Sequence, residues 1–296
     1  MKIAVCFFGH LRTFKRCAPY IKNNLLNHYD CDLFMHTWSE YNHKTKTWHD
    51  NNWIKGKVSK DDILDVYKNL KRIVIEKQII EDLGDIIVSI DNKTISLFGL
   101  KSMYHSMISS YSICEDYAKK HGIEYDFVIM IRPDIILFER FYIDQYISVL
   151  NRDELEKAFF TISNNSAFLY SDIKFLRATD LLFFGKPHNI GCILRNTTNI
   201  IQKLSNNLVI NHPPEFEFGD LIKRLGYDFY SINYSGWDII RPISLRSWIK
   251  QIIRIRIRKN YIKIHLLRYF MIRLFSIRIN LLNFEIEFCI GKPYSE

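Results

Sequence analysis

The chain has 296 residues, of which 48% are hydrophobic and 15% aromatic, enough to bury the core of one large domain or two smaller ones. Glycine and proline are scarce (11 and 7 residues), which excludes a chain made mainly of disordered linkers. The formal net charge of +9 belongs entirely to residues 241–296, which hold twelve Lys or Arg residues and three acidic residues, whereas residues 1–240 are neutral.

In chain order, the first half alternates strand-like and helix-like patterns. The sequence predicts a strand at Lys2–Phe8, a helix at Lys15–Tyr29, a strand at Cys31–His36, a helix at Asp61–Leu70 capped by Ser59, a strand at Arg72–Glu76, a helix at Ser102–His121 ended by Gly122, and a strand at Phe127–Ile131. Such alternation favours a doubly wound α/β sheet.

The second half is less regular. A strand is predicted at Leu181–Phe184, a helix at Asn189–Leu204, a helix from Glu215 or Glu217 to Leu225 that ends at Gly226, and a strand at Asp228–Asn233. We therefore predict one α/β domain over residues 1–240 that would carry any catalytic site, followed by a separate tail at residues 241–296.

Neither cysteines nor histidines show the spacing of a metal motif. The six cysteines lack a CxxC pair, and no signal peptide is evident after Met1, so we expect reduced thiols in a cytoplasmic protein. The histidines form no HExxH pattern, and packed or solvated side chains are expected for His36, His43, His49, His105 and His188.

A charged interruption, Arg132-Pro133-Asp134, follows the apolar strand at Phe127–Ile131. Burying bare charges is costly, and proline removes a ladder donor, so regular pairing is expected to stop there. Ligands of open α/β sheets bind outside the carboxyl ends of the strands. The pair is therefore a candidate site, in which Asp134 would hold a divalent metal or Arg132 a phosphate; a purely structural ion pair is the alternative.

A second candidate is the turn Gly9-His10-Leu11-Arg12 after the first strand, because glycine allows close backbone approach and arginine neutralises phosphate. A general base is expected at a helix start, where the helix dipole keeps a carboxylate ionised. Glu217 is the first candidate and Glu215 the second, with Asp180 of similar status; ordinary capping acids are the alternative.

The tail interleaves Arg or Lys with Ile, Leu, Phe and Tyr, and no charge-free run in it is long enough to span a bilayer. Residues 246–282 suit an anionic membrane surface, while closure of a core and nucleic-acid binding are the less favoured alternatives. IIRIRIRK alternates with the period of a strand, whereas HLLRYFMIRLF is more typical of a helix.

Together, GHLRTF after the opening strand, CDLFMHTW, EYDFVIMIRPDIILF and DLLFFGKPHNI resemble a group of bacterial and viral sugar transferases that act on surface polysaccharides. The resemblance covers roughly residues 1–240. It implies a glycosyltransferase-A-like, Rossmann-like mixed sheet flanked by helices, with a basic apolar C-terminal extension.

The resemblance also implies roles for individual residues. By analogy, the nucleotide sugar is bound by Gly9, His10, Arg12, Ser102, Ser106, Arg132 and Asp134. Asp134 would stand where such enzymes place an aspartate that contacts Mn²⁺ or Mg²⁺, but Arg132 replaces the first aspartate of that motif, and an arginine can neutralise a diphosphate without a metal.

The function expected from these observations is sugar transfer from a nucleotide-sugar donor to a polysaccharide or lipid-linked acceptor on the inner face of the membrane. If the protein is an enzyme of another class, we expect a different phosphate-ester transferase. If it is not an enzyme, we expect a membrane or nucleic-acid binder that acts through its basic tail.

Overall fold

The computed structural model describes residues 1–42, 56–89, 93–162, 180–232, 234 and 236–239, together with four strands between residues 253 and 293. The chain forms two units, Met1–Arg241 and Pro242–Glu296. His43 and His49, named above as histidines outside any metal motif, lie outside the described residues.

The described residues of the first unit include twelve strands. They are β1 (Lys2–Phe7), β2 (Asp30–Trp38), β3 (Leu70–Glu76), β4 (Asp85–Val88), β5 (Lys93–Ser96), β6 (Phe127–Ile131), β7 (Ile135–Leu137), β8 (Ala158–Ile162), β9 (Leu182–Gly185), β10 (Val209–Ile210), β11 (Asp228–Ile232) and β12 (Trp237–Ile239).

Eight α-helices accompany these strands in the described part of the chain. They are α1 (Phe14–Asn24), α2 (Lys60–Val66), α3 (Leu97–His121), α4 (Asp144–Ile147), α5 (Arg152–Lys157), α6 (Pro187–Arg195), α7 (Thr197–Asn206) and α8 (Glu215–Arg224).

Seven strands make one large mixed sheet in the order β11-β8-β9-β6-β1-β2-β3. Strands β3, β2, β1 and β6 are mutually parallel, as are β8 and β11, whereas β9 runs antiparallel to both of its neighbours. The prediction of an α/β protein with a large mixed sheet flanked by helices is thus confirmed in its coarse form.

The centre of the sheet is covered on both faces. All five residues of β6 are buried, as are Ile3–Phe7 of β1, which matches their continuous apolar sequences. Each fully buried Val, Ile or Phe side chain contributes roughly 1.5–3 kcal/mol relative to exposure, so these two strands anchor the domain. The loops that leave them therefore start from fixed points.

Helix α3 lies against this centre and contributes Tyr104, Met107 and Tyr111 to the main apolar cluster. It begins after Ser96, whose side chain accepts a hydrogen bond from the Gly99 N–H, and ends at Gly122 in the left-handed conformation (φ 61°), as predicted. The predicted start at Ser102 was five residues late: Leu97 and Leu100 are buried and continue the helical spacing of Tyr104 and Met107.

Other element boundaries differ from the prediction in ways that the chain explains. The single helix predicted over Asn189–Leu204 is two helices, α6 and α7, separated at Asn196. Pro187 lies in the first turn of α6, a position that suits proline because its fixed φ is already helical. The helix predicted to Tyr29 ends at Asn24, and a short 3₁₀ turn follows at Leu26–His28. Short strands such as β4, β5 and β10, which form a separate small sheet, were not predicted.

Pairing stops at Pro133, as expected. Strand β6 ends at Ile131, and the chain resumes as β7, which pairs antiparallel with β12 in a separate two-stranded sheet. Arg132-Pro133-Asp134 is therefore a short connection between two sheets.

Where the structure describes the second unit, it has four strands, β13 (Ile253–Arg258), β14 (Tyr261–Leu266), β15 (Ile272–Leu281) and β16 (Phe284–Pro293). They form a sheet in the order β13-β14-β16-β15. The strand pattern of IIRIRIRK is confirmed by β13. The helical interpretation of HLLRYFMIRLF is wrong where the structure describes it, since both ends of that segment belong to β14 and β15. Among the described residues, no helix combines the length and the hydropathy that crossing a membrane requires.

Candidate functional site

The candidate site lies at the carboxyl edge of the main sheet. The chain runs from β1 outward to β2 and β3, then returns to the other side of β1 to form β6. The strand order therefore reverses between β1 and β6, and ligands of open α/β sheets bind at such a switch point. The two loops that leave this point hold Gly9–Arg12 and Arg132–Asp134.

Arg12, Arg132 and Asp134 form what we term the arginine–aspartate cluster. Arg12 donates from Nη1 to Asp134 Oδ2 over 2.8 Å. Arg132 donates from Nε to Asp134 Oδ1 over 2.9 Å and from Nη2 to Oδ2 over 2.7 Å, a bidentate contact. Two cations thus share one carboxylate, and the cluster keeps an excess of positive charge.

Burial makes this arrangement electrostatically strong. The Asp134 side chain is 0% exposed, and those of Arg12 and Arg132 are 9% and 12% exposed. Burial lowers the pKa of Arg12, and Arg132 lowers it further, against the opposing effect of Asp134. For Arg132, burial acts in the same direction, but Asp134 and Asp180 outweigh it and raise the pKa above its ordinary value. An incoming anion would relieve the repulsion between the two guanidinium groups.

The loop after β1 has a fixed and unusual backbone. Gly9 has φ 92°, and Arg12 has φ 41°, a left-handed conformation that non-glycine residues adopt at a cost. The loop is held against the end of β2, because Thr37 donates to the Gly9 carbonyl (2.9 Å) and the Arg12 N–H donates to the Tyr41 carbonyl (3.1 Å). His10 is buried and contacts the Glu40 carbonyl through Nδ1 (3.1 Å). This backbone aims the Arg12 side chain at Asp134.

The predicted serines lie on the α3 face that covers the sheet. Ser102, Ser106 and Ser110 follow one another at the four-residue spacing of one helix face, and all three are buried. Ser106 Oγ accepts a hydrogen bond from the Gly9 N–H over 2.7 Å, and Ser110 donates to the Phe7 carbonyl over 2.8 Å. Ser106 therefore supports the loop directly, while the nucleotide-binding roles of Ser102 and Ser106 stay predictions.

The predicted acids influence one buried tyrosine of α3. Burial raises the pKa of the Tyr104 hydroxyl, and the negative charges of Asp180, Glu215 and Glu217 raise it further. Asp180 lies just before β9 and its Oδ2 is 3.8 Å from Arg132 Nη1, so it borders the arginine–aspartate cluster. Asp180 is thus the predicted acid that contacts an arginine of the cluster.

Glu217 is held firmly in place. Its side chain is 1% exposed, and its two oxygens accept hydrogen bonds from Lys203 Nζ over 2.7 and 2.6 Å. His212 Nε2 also lies 3.6 Å from Glu217 Oε1. Nothing in the sequence pattern singled out Lys203, because a lysine on a helix is ordinarily a solvated side chain.

A divalent metal at Asp134 does not fit the arrangement as it stands. Mn²⁺ and Mg²⁺ need several oxygen ligands, whereas both carboxylate oxygens of Asp134 face guanidinium groups within 2.9 Å. A metal would have to displace at least one arginine. The role of Asp134 that the contacts support is to position Arg12 and Arg132.

One group of polar residues near the site was not predicted. His36, Glu76 and His105 come together beside the Gly9 loop, although His36 and His105 were expected to be ordinary packed or solvated histidines. Their separation along the chain hides the group from any motif search. The available signal was that His36 and Glu76 lie near the ends of adjacent predicted strands.

Comparison with known proteins gives no match between this chain and any family model or any curated protein. The fold and the geometry of the site are thus the basis for assigning a function.

Proposed function

We propose that the protein is a glycosyltransferase that moves a sugar from a nucleotide-sugar donor to a surface polysaccharide or lipid-linked glycan acceptor. The observation that supports this most is the position of the arginine–aspartate cluster at the switch point between β1 and β6. The motifs around the cluster are those that resemble polysaccharide sugar transferases.

The charge of the cluster suits the diphosphate of such a donor. During transfer the bond between the sugar and the diphosphate breaks, and negative charge develops on the leaving oxygen. Arg12 and Arg132 would stabilise that charge from fixed positions in a poorly hydrated site, where charge-assisted hydrogen bonds are strong. Asp134 would hold both guanidinium groups ready, and Gly9 would let the backbone approach the nucleotide.

Acceptor activation would fall to one of the three predicted acids. Asp180 borders the cluster through Arg132 and is 24% exposed, so a water or hydroxyl group can reach it. Glu217 is 1% exposed, and both of its oxygens accept hydrogen bonds from Lys203, so an acceptor hydroxyl group would have to displace that lysine to reach them. We therefore place Asp180 ahead of Glu217 and Glu215 as the group that takes the acceptor proton in an inverting reaction.

The second unit would bring the enzyme to its acceptor. Its eleven basic residues and three acidic residues suit attraction to anionic lipid, and residues 246–282 would hold the protein at the inner face of the membrane. Lipid-linked acceptors would be found at that surface.

Nucleotide binding by the whole chain tests the proposal. We expect one or more of the diphosphates of uridine, guanosine, cytidine and adenosine to raise the melting temperature, since a ligand at 100 times its Kd stabilises by about 2.7 kcal/mol. Each is measured with and without Mn²⁺, and the positive ones are confirmed by calorimetry. Thymidine diphosphate completes the panel, and absence of any shift would count decisively against the proposal.

A matched pair of variants locates the binding. Arg12→Gln should abolish the shift, whereas Arg16→Gln, which removes an exposed arginine four residues away on α1, should preserve it. Circular dichroism of both variants shows that each is folded. Equal binding by the two variants would place the nucleotide elsewhere.

A further inference from the structure

Three polar side chains meet at the end of β2 and β3 beneath α3. His36 Nε2 and His105 Nε2 each lie 2.9 Å from the same oxygen of Glu76, Oε2. The three candidate ligand atoms all lie within 4.8 Å of one another. We call this group the His–Glu–His cluster.

The two rings are already oriented toward this shared point. His36 is 0% exposed, and its other ring nitrogen, Nδ1, is 2.7 Å from Ser106 Oγ. The His105 ring stacks on Trp38, with centroids 5.5 Å apart and planes inclined by 26°. Glu76 and His105 are 45% and 47% exposed, so water and ions reach the cluster from one side.

Two imidazoles and one carboxylate form a known type of metal-ligand set. Zinc binds histidine nitrogen and carboxylate oxygen at about 2.0–2.2 Å, which separates tetrahedral ligand atoms by about 3.3 Å. In this cluster each histidine nitrogen lies 2.9 Å from the Glu76 oxygen, and all three atoms lie within 4.8 Å of one another, so small side-chain shifts would reach that spacing. Sites with three protein ligands leave a further position to water, and the open side here provides it.

We propose that His36 Nε2, His105 Nε2 and a carboxylate oxygen of Glu76 bind a divalent transition metal of the zinc type, with water completing the coordination. The site is separate from Asp134 and does not depend on the function proposed above.

The surroundings of His36 accommodate the form that binds a metal. Coordination through Nε2 leaves the ring proton on Nδ1, which then donates to Ser106 Oγ. Ser106 can still accept from the Gly9 N–H (2.7 Å), while its own proton turns to the His36 carbonyl (3.4 Å). Such an outer hydrogen bond is typical of metal-binding histidines. Ser106 is therefore a positioning residue that joins the metal site to the loop after β1.

Metal binding by the full chain, freed of metal with a chelator, tests the site. Calorimetry with Zn²⁺ should show a site of one ion per chain, and Co²⁺ at the same site should give the visible absorption of a low-coordinate complex. A wild-type protein that binds neither ion would overturn the proposal and leave Glu76 as a hydrogen-bond bridge between two histidines.

Variants on the exposed side of the cluster avoid a loss of folding. His105→Ala and Glu76→Gln should weaken Zn²⁺ binding by more than tenfold and remove the cobalt spectrum, since each removes a ligand. As controls, His121→Ala on the same helix and Glu81→Gln remove an exposed histidine and an exposed glutamate outside the cluster, and both variants should bind as the wild type does. Equal affinity in all four variants would overturn the assignment.

Ser106→Ala tests the positioning role. Loss of an outer hydrogen bond costs roughly 10- to 100-fold in metal affinity, so binding should weaken without a change in stoichiometry. Unchanged affinity would overturn the link between the metal site and Ser106.

Discussion

Arg12 and Asp134 are joined by a 2.8 Å hydrogen bond although 122 residues separate them in the sequence. The bond ties the loop after β1 to the loop after β6, the two connections that leave the point where strand order reverses. Because Arg132 holds the same carboxylate, one buried aspartate fixes two arginines from different segments. The proposed diphosphate site therefore depends on Asp134 even though a diphosphate would contact the arginines.

Asp134→Ala should consequently destabilise the protein as well as abolish transfer. The substitution leaves two nearly buried guanidinium groups without their shared counter-ion, and breaking a buried ion pair costs about 3–5 kcal/mol. Denaturant unfolding measures the loss. Asp116→Ala, on the exposed face of α3, should stay within about 0.5 kcal/mol of the wild type. An Asp134→Ala protein of wild-type stability would show that the cluster contributes nothing to the fold.

Asp180→Asn should separate binding from chemistry. Removing this carboxylate takes away the proposed base, so turnover should fall by about 10²- to 10⁴-fold. It also removes a negative charge 3.8 Å from Arg132, which leaves that arginine more available to phosphate, so the affinity for a nucleoside diphosphate should stay equal or rise. Steady-state kinetics and calorimetry measure the two effects. If turnover persists while Glu217→Gln or Glu215→Gln abolishes it, the base is one of those glutamates.

Lys203→Ala should reveal how strongly Glu217 depends on its partner. The glutamate is 1% exposed, and the lysine 56% exposed, so the change leaves a buried carboxylate that water reaches poorly. We expect the free energy of unfolding to fall by about 1–3 kcal/mol, and Glu217→Gln added to Lys203→Ala should recover part of that loss.

The exposed pair of Lys119 and Glu115 provides the control for this experiment. Lys119 is 70% exposed, and solvent screens the contact, so Lys119→Ala should change stability by less than about 1 kcal/mol. Equal losses for Lys203→Ala and Lys119→Ala would mean that the burial of Glu217 has no energetic consequence.

The sequence predicted the parts of the molecule whose signals are local. β6 was predicted with its bounds, and Ser59 and Gly226 were identified as helix ends, because apolar runs, caps and left-handed glycines act over a few residues. Arg132 and Asp134 were identified as a pair for the same reason. Their bond to Arg12 could not be read from the chain, since it depends on which strands become neighbours.

Contacts across the sheet explain the rest of what was missed. Glu76 gave no signal in RIVIE beyond ending a strand, and it gains its two histidine neighbours because β3 pairs with β2 and α3 covers both. Lys203 became significant through its contact with α8. In both cases the chemistry arises from tertiary packing, which a single sequence does not specify.

The second unit should bind anionic lipid through its positive charge. The whole chain is expected to sediment with vesicles that contain phosphatidylserine but not with neutral ones, and added salt should release it because screening shortens the reach of the attraction. Replacing Arg254, Arg256 and Arg258 in β13 by Gln removes three charges. At about 1 kcal/mol per charge near the surface, binding should weaken on the order of a hundredfold. As a control, replacing Arg152, Lys157 and Lys223 of the first unit by Gln removes the same number of charges and should leave sedimentation unaltered. If both triple variants lose vesicle binding to a similar extent, the net charge of the chain, rather than the second unit, governs membrane binding.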